Sequence, residues 1–186
     1  MPTYRFAIVP TALGAFGAAW TDAGIARTWL HDRTIEQTRQ HIRRDLPGAL
    51  EALPPPAIED AFDDVRALLD GEKRIPTVGL DMGTIPEFDQ RVYDVARTIA
   101  PGTTLTYGAV AKAMGEEPMK ARDVGVALSR NPFAPIVPCH RIVAANGNLG
   151  GYSAPGGVDT KRRLLELEGA AVVAPPPPPA QASLFD

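Results

Sequence analysis

The sequence is poorest in the residues that staple or metallate small proteins. Cys139 is the single cysteine in 186 residues, so an internal disulfide is excluded. The other soft ligands are His31, His41 and His140, too few for a cysteine-rich metal site, and neither a metal nor a cofactor is expected. A lone free thiol suits a reducing, cytoplasmic compartment. No apolar run approaches the roughly 20 residues a membrane helix needs, so a membrane is not an expected partner. The opening stretch MPTYRFAIVPTALGAFGAAW also fails as a signal peptide. Arg5 is a single charge, Pro10 interrupts the apolar run, and no small-residue cleavage site follows. A dimerisation element or effector domain, which a transcription regulator would need, is missing too, and a monomer is expected.

What is present is ordinary for a globular chain: 45% hydrophobic and 22% charged residues, enough for a buried core. The formal net charge of −3 hides an uneven distribution. Residues 1–90 carry 9 Lys/Arg against 14 Asp/Glu, whereas residues 91–163 carry 10 against 5. Such asymmetry hints at a nucleic-acid face on the second half, although a solvated basic surface is the commoner cause.

Residues 1–82 read as an α/β domain. A strand is expected at 4–9, and strands at 15–20 and 25–30 flank the turn cluster TDAG. Thr34 caps a helix through about Arg44, which Pro47 ends. The connector LPPPA leads into an amphipathic helix over 58–70, and TVGLDMG (77–83) reads as a strand. Residues 83–170 read as a mainly α domain. A helix over 88–99 is followed by a short helix at 107–115 capped by Thr106, the turn EEPMK, and a second helix at 121–130. Two short helices joined by a tight turn outline a helix-turn-helix of winged-helix type. Helical hairpins that bind nothing are commoner, so the outline alone leaves DNA binding open. A last helix at 158–167 presents Lys161, Arg162 and Arg163 as a basic face. Residues 171–186 form a Pro-rich tail, an extended spacer ending in QASLFD.

Cys139 sits in PIVPCHRIV. Free cysteines are among the most buried residue types, so reactivity must be argued. Adjacent side chains on an extended segment point to opposite sides, so His140 needs a turn or a bridging water to reach the sulfur. From these residues alone, packing and nucleophilic chemistry stand about even.

Four motifs taken together, PCHR (138–141), RNP (130–132), GGYS (150–153) and LLELEG (164–169), resemble the O6-alkylguanine-DNA alkyltransferases from about Phe88 to Gly169. The resemblance implies an N-terminal α/β domain followed by a helix-turn-helix domain. It implies irreversible transfer of an alkyl group from O6-alkylguanine in double-stranded DNA to Cys139, once per molecule. His140 would take the thiol proton through a water, and Glu168 would orient His140. Asn131 would hold the turn behind the active-site loop. Tyr107 would donate toward guanine N3, the carbonyls of Cys139 and Ile142 would receive the exocyclic amine, the Ser153 amide would face O6, and Tyr152 would wall the pocket. Arg122 would fill the space left by the flipped nucleotide, with Lys120, Ala121 and Arg130 beside it on the DNA side, the reading helix lying in the minor groove. Flipping is required because a thiol cannot reach O6 of a stacked base.

The chain departs from the family pattern in places. GEEPMK is one residue longer than in the animal form and adds two acids. Ala134 stands where many members have proline, which implies a roomier pocket. Ala154 and Pro155 lengthen the pocket loop, and the zinc ligands of some animal members are missing. A relative that senses damage without transfer is the competing reading, but such sensors lack the cysteine. Finally, QASLF (181–185) resembles the pentapeptide by which bacterial repair proteins dock on the sliding clamp. Gln181 would be the polar handle and Leu184 and Phe185 the apolar anchors.

Overall fold

The computed structural model describes residues 3–32 and 34–171. The tail with Gln181, Leu184 and Phe185 lies outside the described residues, and with it the expected clamp-docking segment.

The N-terminal half is a four-stranded sheet in the order β3-β2-β1-β4. Strands β1 (Arg5–Thr11), β2 (Gly14–Thr21) and β3 (Gly24–Asp32) form an antiparallel meander, and the two-residue β4 (Leu50–Glu51) pairs parallel to β1. The period-2 alternation of β2 decides the layers. Phe16, Ala18 and Trp20 join the main core, whereas Ala19 packs with Phe6, Trp29 and Ile42 on the opposite face. Helix α1 (Ile35–Asp45) covers that second face, and the Thr34 side chain caps it by accepting from the Gln37 amide, as expected. Helix α2 (Pro56–Leu69) covers the first face, and Phe62 meets Phe16 edge-on with ring centroids 5.5 Å apart. It starts at Pro56, two residues earlier than its apolar stripe indicates, because proline fits a first helical turn whose amides lack partners anyway.

The expected strand at 77–83 does not form. Leu80 makes only an isolated parallel bridge to Ile25, with Ile25 N donating to Gly79 O at 3.0 Å and Asp81 N to Ile25 O at 2.8 Å. Val78, Leu80 and Met82 still pack partly buried against the main core, but the segment follows a proline, which has no amide to give a ladder.

The C-terminal half is helical. Helix α3 (Glu87–Arg97) leads through a turn into β5 (Leu105–Thr106), α4 (Tyr107–Ala113), a single 3-10 turn (Pro118–Lys120) and α5 (Ala121–Ser129). Thr106 caps α4 through the Ala109 amide at 3.1 Å. Helices α4 and α5 pack against each other and against α3, and the Tyr93 hydroxyl donates to Ala127 O at 3.0 Å. A 3-10 turn at Cys139–Arg141 runs into β6 (Ile142–Val143), and α6 (Gly157–Leu167) closes the described chain. The parallel pairing of β5 with β6 sets Thr106 beside Val143, so the start of α4 is held next to the segment that follows Cys139.

One apolar cluster joins the two halves. Phe16, Trp20 and Phe62 from the first share it with Val92, Tyr93, Phe133 and Cys139 from the second. The junction is also hydrogen-bonded. Thr28 on β3 donates its amide to Pro132 O at 2.8 Å and its hydroxyl to Ala134 O at 2.6 Å. The sheet is thereby seamed to the loop that leads to the thiol.

Candidate active site

Cys139 opens the 3-10 turn, and that local bend settles the geometry an extended chain leaves open. In a 3-10 turn the two neighbouring side chains are not forced to opposite sides as they are on a strand. Cys139 is only 7% exposed and lines a cavity of about 390 Å³ together with Tyr107, Gly125, Leu128, Ser129, Gly151, Tyr152 and Ser153. Three of the expected substrate-side residues, Tyr107, Tyr152 and Ser153, therefore surround the thiol. Gly150 makes the approach feasible: it sits at φ +70°, and a Cβ there would come within 3.0 Å of the Tyr107 hydroxyl.

Behind the thiol lies a buried charged cluster. His140 has no exposure, and its Nε2 lies 2.8 Å from Glu168 Oε1. Burial is the largest influence on Glu168 and acts upward, but hydrogen bonds from His140 and Arg141 outweigh it and bring the carboxyl down to about 2. An ionised carboxylate accepts only, so Nε2 carries the proton and Nδ1 keeps its lone pair. Burial lowers the His140 pKa more than Glu168 raises it, which keeps the ring neutral at neutral pH. His140 Nδ1 is buried with no hydrogen-bond partner among the described residues.

Arg141 was legible as part of the PCHR signature but not as a working residue. It donates Nε and Nη2 to Glu168 at 2.8 to 3.1 Å and Nη1 to Ile99 O at 2.6 Å. Glu168 Oε2 also accepts from the Gly102 amide at 3.2 Å. The turn after α3 thus anchors the carboxylate, an element that motif reading does not reveal.

Asn131 holds the loop with both ends of its amide. Nδ2 donates to Val137 O at 2.9 Å and Oδ1 accepts from the Phe133 amide at 2.9 Å. Burial pushes the Cys139 thiol up, while hydrogen bonding from Asn131 and the charge of Lys161 pull it back.

Lys161 corrects the expected basic face of α6. It is fully buried, and its Nζ donates to Ile142 O at 2.5 Å and to Gly151 O at 3.3 Å, 5.8 Å from the centroid of the Tyr107 ring. Burial lowers its pKa to about 8. Arg163 alone of the three is exposed, Arg162 being half-buried. The carbonyl of Ile142, expected to face the guanine amine, is the one Lys161 holds.

On α5, Arg122 is exposed and makes no ion pair among the described residues, next to a half-buried Ala121. Lys120 is exposed and bridges to Asp123 at 2.8 Å. Arg130 differs from its expected place among free DNA-side cations. Its guanidinium clamps the buried Asp89 carboxylate at 2.9 and 3.1 Å, tying α5 to α3. Among the described residues no cluster of three or more His, Cys, Asp or Glu side chains is arranged to hold a metal.

Residues 87–170 match the family described as 6-O-methylguanine DNA methyltransferase, DNA binding domain. A methylated-DNA–protein-cysteine methyltransferase of Methanothermobacter thermautotrophicus is 39% identical over 157 residues, 84% of this chain and 80% of that protein. One from Mycobacterium tuberculosis is 40% identical over 162 residues, 87% of each chain. Among solved structures, the Mycobacterium tuberculosis O6-methylguanine methyltransferase aligns with a TM-score of 0.69 at 35% identity, covering 91% of this chain and 93% of that one. A Mycobacterium tuberculosis structure in complex with DNA aligns at 0.70 and 34%, covering 88% and 92%. The chain belongs to the methylated-DNA–protein-cysteine methyltransferase family.

Proposed function

We propose that this protein repairs DNA by taking the alkyl group of O6-alkylguanine onto Cys139, permanently and once per molecule. The observation that carries the assignment of roles is the thiol in a Tyr107–Tyr152–Ser153 cavity, backed by a neutral histidine whose tautomer a buried carboxylate fixes. The Cys139 proton passes through a water to His140 Nδ1. The sulfur attacks the alkyl carbon, an S–C bond forms as the C–O6 bond breaks, and the electron pair stays on guanine. The Tyr107 phenol, kept protonated by burial, donates at N3 so that guanine leaves neutral. The proton held by His140 returns through water to the Tyr107 phenolate, so that, net, guanine gains the proton the thiol gave up and the sulfur keeps the alkyl group.

The damaged base must leave the duplex to reach a thiol at the back of a cavity. We assign residues 83–170 as the DNA-binding and transfer domain, with α4 and α5 as the helix-turn-helix, Arg122 inserted into the vacated stack and Lys120 and Ala121 against the backbone. Arg130 supports α5 through Asp89 instead. Residues 1–82 form the supporting domain, and the tail, on the sequence QASLF, docks on the sliding clamp. The protein acts as a cytoplasmic monomer.

The test is stoichiometry. Labelled methyl from an O6-methylguanine duplex should accumulate on the protein to one equivalent and stop, and Cys139→Ala should bind the duplex yet accept none. Continued turnover, or label on the alanine protein, would refute the assignment. A protein that binds the duplex and takes no label would instead be a sensor. Deleting residues 181–186 should abolish clamp binding; unchanged affinity removes that part.

A further inference from the structure

The thiol stands at the junction of two cavities. Beyond the one already described lies a crevice of about 440 Å³. The two share Ser129, Cys139 and Ser153, so Cys139 lines both. The crevice runs past Asn131 and Ala134 to the N-terminal sheet, where Arg27, Thr28 and Trp29 of β3 and His41, Arg44 and Asp45 of α1 form its far wall. That wall is fixed to the thiol loop by the Thr28 hydrogen bonds to Pro132 and Ala134.

Its charge is unbalanced: among the described residues Asp45 is the one carboxylate lining the crevice, against three guanidinium groups. It holds Arg27 at 3.2 Å and Arg44 at 3.0 Å, and it accepts from Trp29 Nε1 at 3.1 Å. Arg27 is further fixed by lying 5.3 Å from the Trp29 ring centroid. One carboxylate shared by two guanidiniums leaves a positive surplus facing the opening. Arg130 also lines the crevice, its charge offset by Asp89 outside it, so the surplus rests on Arg27 and Arg44.

We propose that this crevice is an annex for the distal part of large O6-substituents, and that it favours those ending in an anion. The proposal rests on the transfer reaction assigned above. Only the first carbon of an alkyl group must reach Cys139; whatever follows it needs room on the far side of the sulfur. A methyl group leaves the annex unused. A carboxyalkyl chain passes Ala134 and brings its carboxylate toward Arg27 and Arg44. The supporting N-terminal domain thereby sets substrate range through β3 and the end of α1.

The test compares rates of transfer from duplexes carrying O6-methylguanine, O6-carboxypropylguanine and the uncharged carbamoylpropyl isostere. For the native protein the carboxylate should react about three- to tenfold faster than its amide at low salt, a difference that shrinks in high salt. The ratio, taken within each protein so that folding losses cancel, should fall toward one in Arg27→Gln/Arg44→Gln. It should persist in Arg74→Gln, whose side chain lies elsewhere. Ala134→Phe should slow both long substrates relative to methyl. A native ratio of one or less, a ratio unmoved by the double substitution, or long substrates unaffected by Ala134→Phe would each overturn the annex. Failure of the native protein on O6-methylguanine itself would refute the transfer reading instead.

Discussion

Glu168 lies 2.8 Å from His140 Nε2 with the same oxygen that Arg141 Nη2 approaches at 2.8 Å. The carboxylate therefore accepts from both the imidazole and the guanidinium. Burial holds His140 neutral and Glu168 fixes which ring nitrogen carries the proton, so His140 is oriented yet neutral, which is the state a base requires.

Replacing Glu168 with Gln should slow transfer about 10²- to 10⁴-fold, since it frees the histidine tautomer and strands Arg141. Stability should change with pH in a defined direction. The folded carboxyl is lowered to about 2 from an ordinary value of 4.5, so its contribution is present above the unfolded value and is lost as pH falls through the interval between them. Urea melts from neutral pH down to acid should show the native protein losing its advantage over the variant across that window, by roughly 3 kcal/mol. A constant difference would contradict the ionised carboxylate.

Lys161 gives a slope of the same sign at the alkaline end. Its folded pKa of about 8 lies below the ordinary 10.5, so between these values the unfolded chain holds the extra proton and the fold gains stability as pH rises. Relative to Lys161→Met, the native protein should gain up to roughly 3 kcal/mol across that range. Below about pH 8, where Lys161 is charged, Cys139 of the variant should also react more slowly with iodoacetamide, because the Lys161 charge that favours the thiolate is gone. Unchanged reactivity there would limit Lys161 to holding the carbonyls of Ile142 and Gly151.

Gly102 sits at φ +82°, and a Cβ would fall 2.7 Å from the Glu168 carbonyl oxygen. Gly102→Ala should cost about 1–3 kcal/mol of stability and displace the amide that Glu168 Oε2 accepts. Chemical denaturation and transfer rate measured together check this. Native stability in the alanine protein would show that the turn yields.

Arg122→Ala should weaken duplex binding across sequences if the side chain enters the helix. The slope of log affinity against log salt should shrink by no more than about one, as for a single cation. Binding unchanged at every salt concentration would remove Arg122 from the interface.

The sequence discloses the chemistry of the site better than its support. Cys139, Tyr152 and Ser153 meet around one cavity, and His140 meets Glu168, each legible from a motif, while Tyr107 at the same cavity was legible only through the family resemblance. Lys161 was misplaced for a physical reason. Lysines are seldom buried, so its run with Arg162 and Arg163 reads as solvated. One residue along a helix is a large rotation, however, and Lys161 turns inward with Leu164 and Leu165. Arg130 likewise has a carboxylate partner 41 residues away, which local pattern does not reveal. Thr34 and Thr106 were correct as caps because capping is local. The two-residue β4 and the single bridge at Leu80 are set by long-range pairing, beyond the reach of periodicity.

The central claim is that Cys139 is the acceptor. Its most direct test is the mass of the peptide containing Cys139 after incubation with a duplex bearing one O6-methylguanine. The account predicts that this peptide, and no other, exchanges one proton for one methyl group while the duplex is restored to guanine. An unmodified Cys139 peptide beside a repaired duplex, or methyl on another residue, would contradict it.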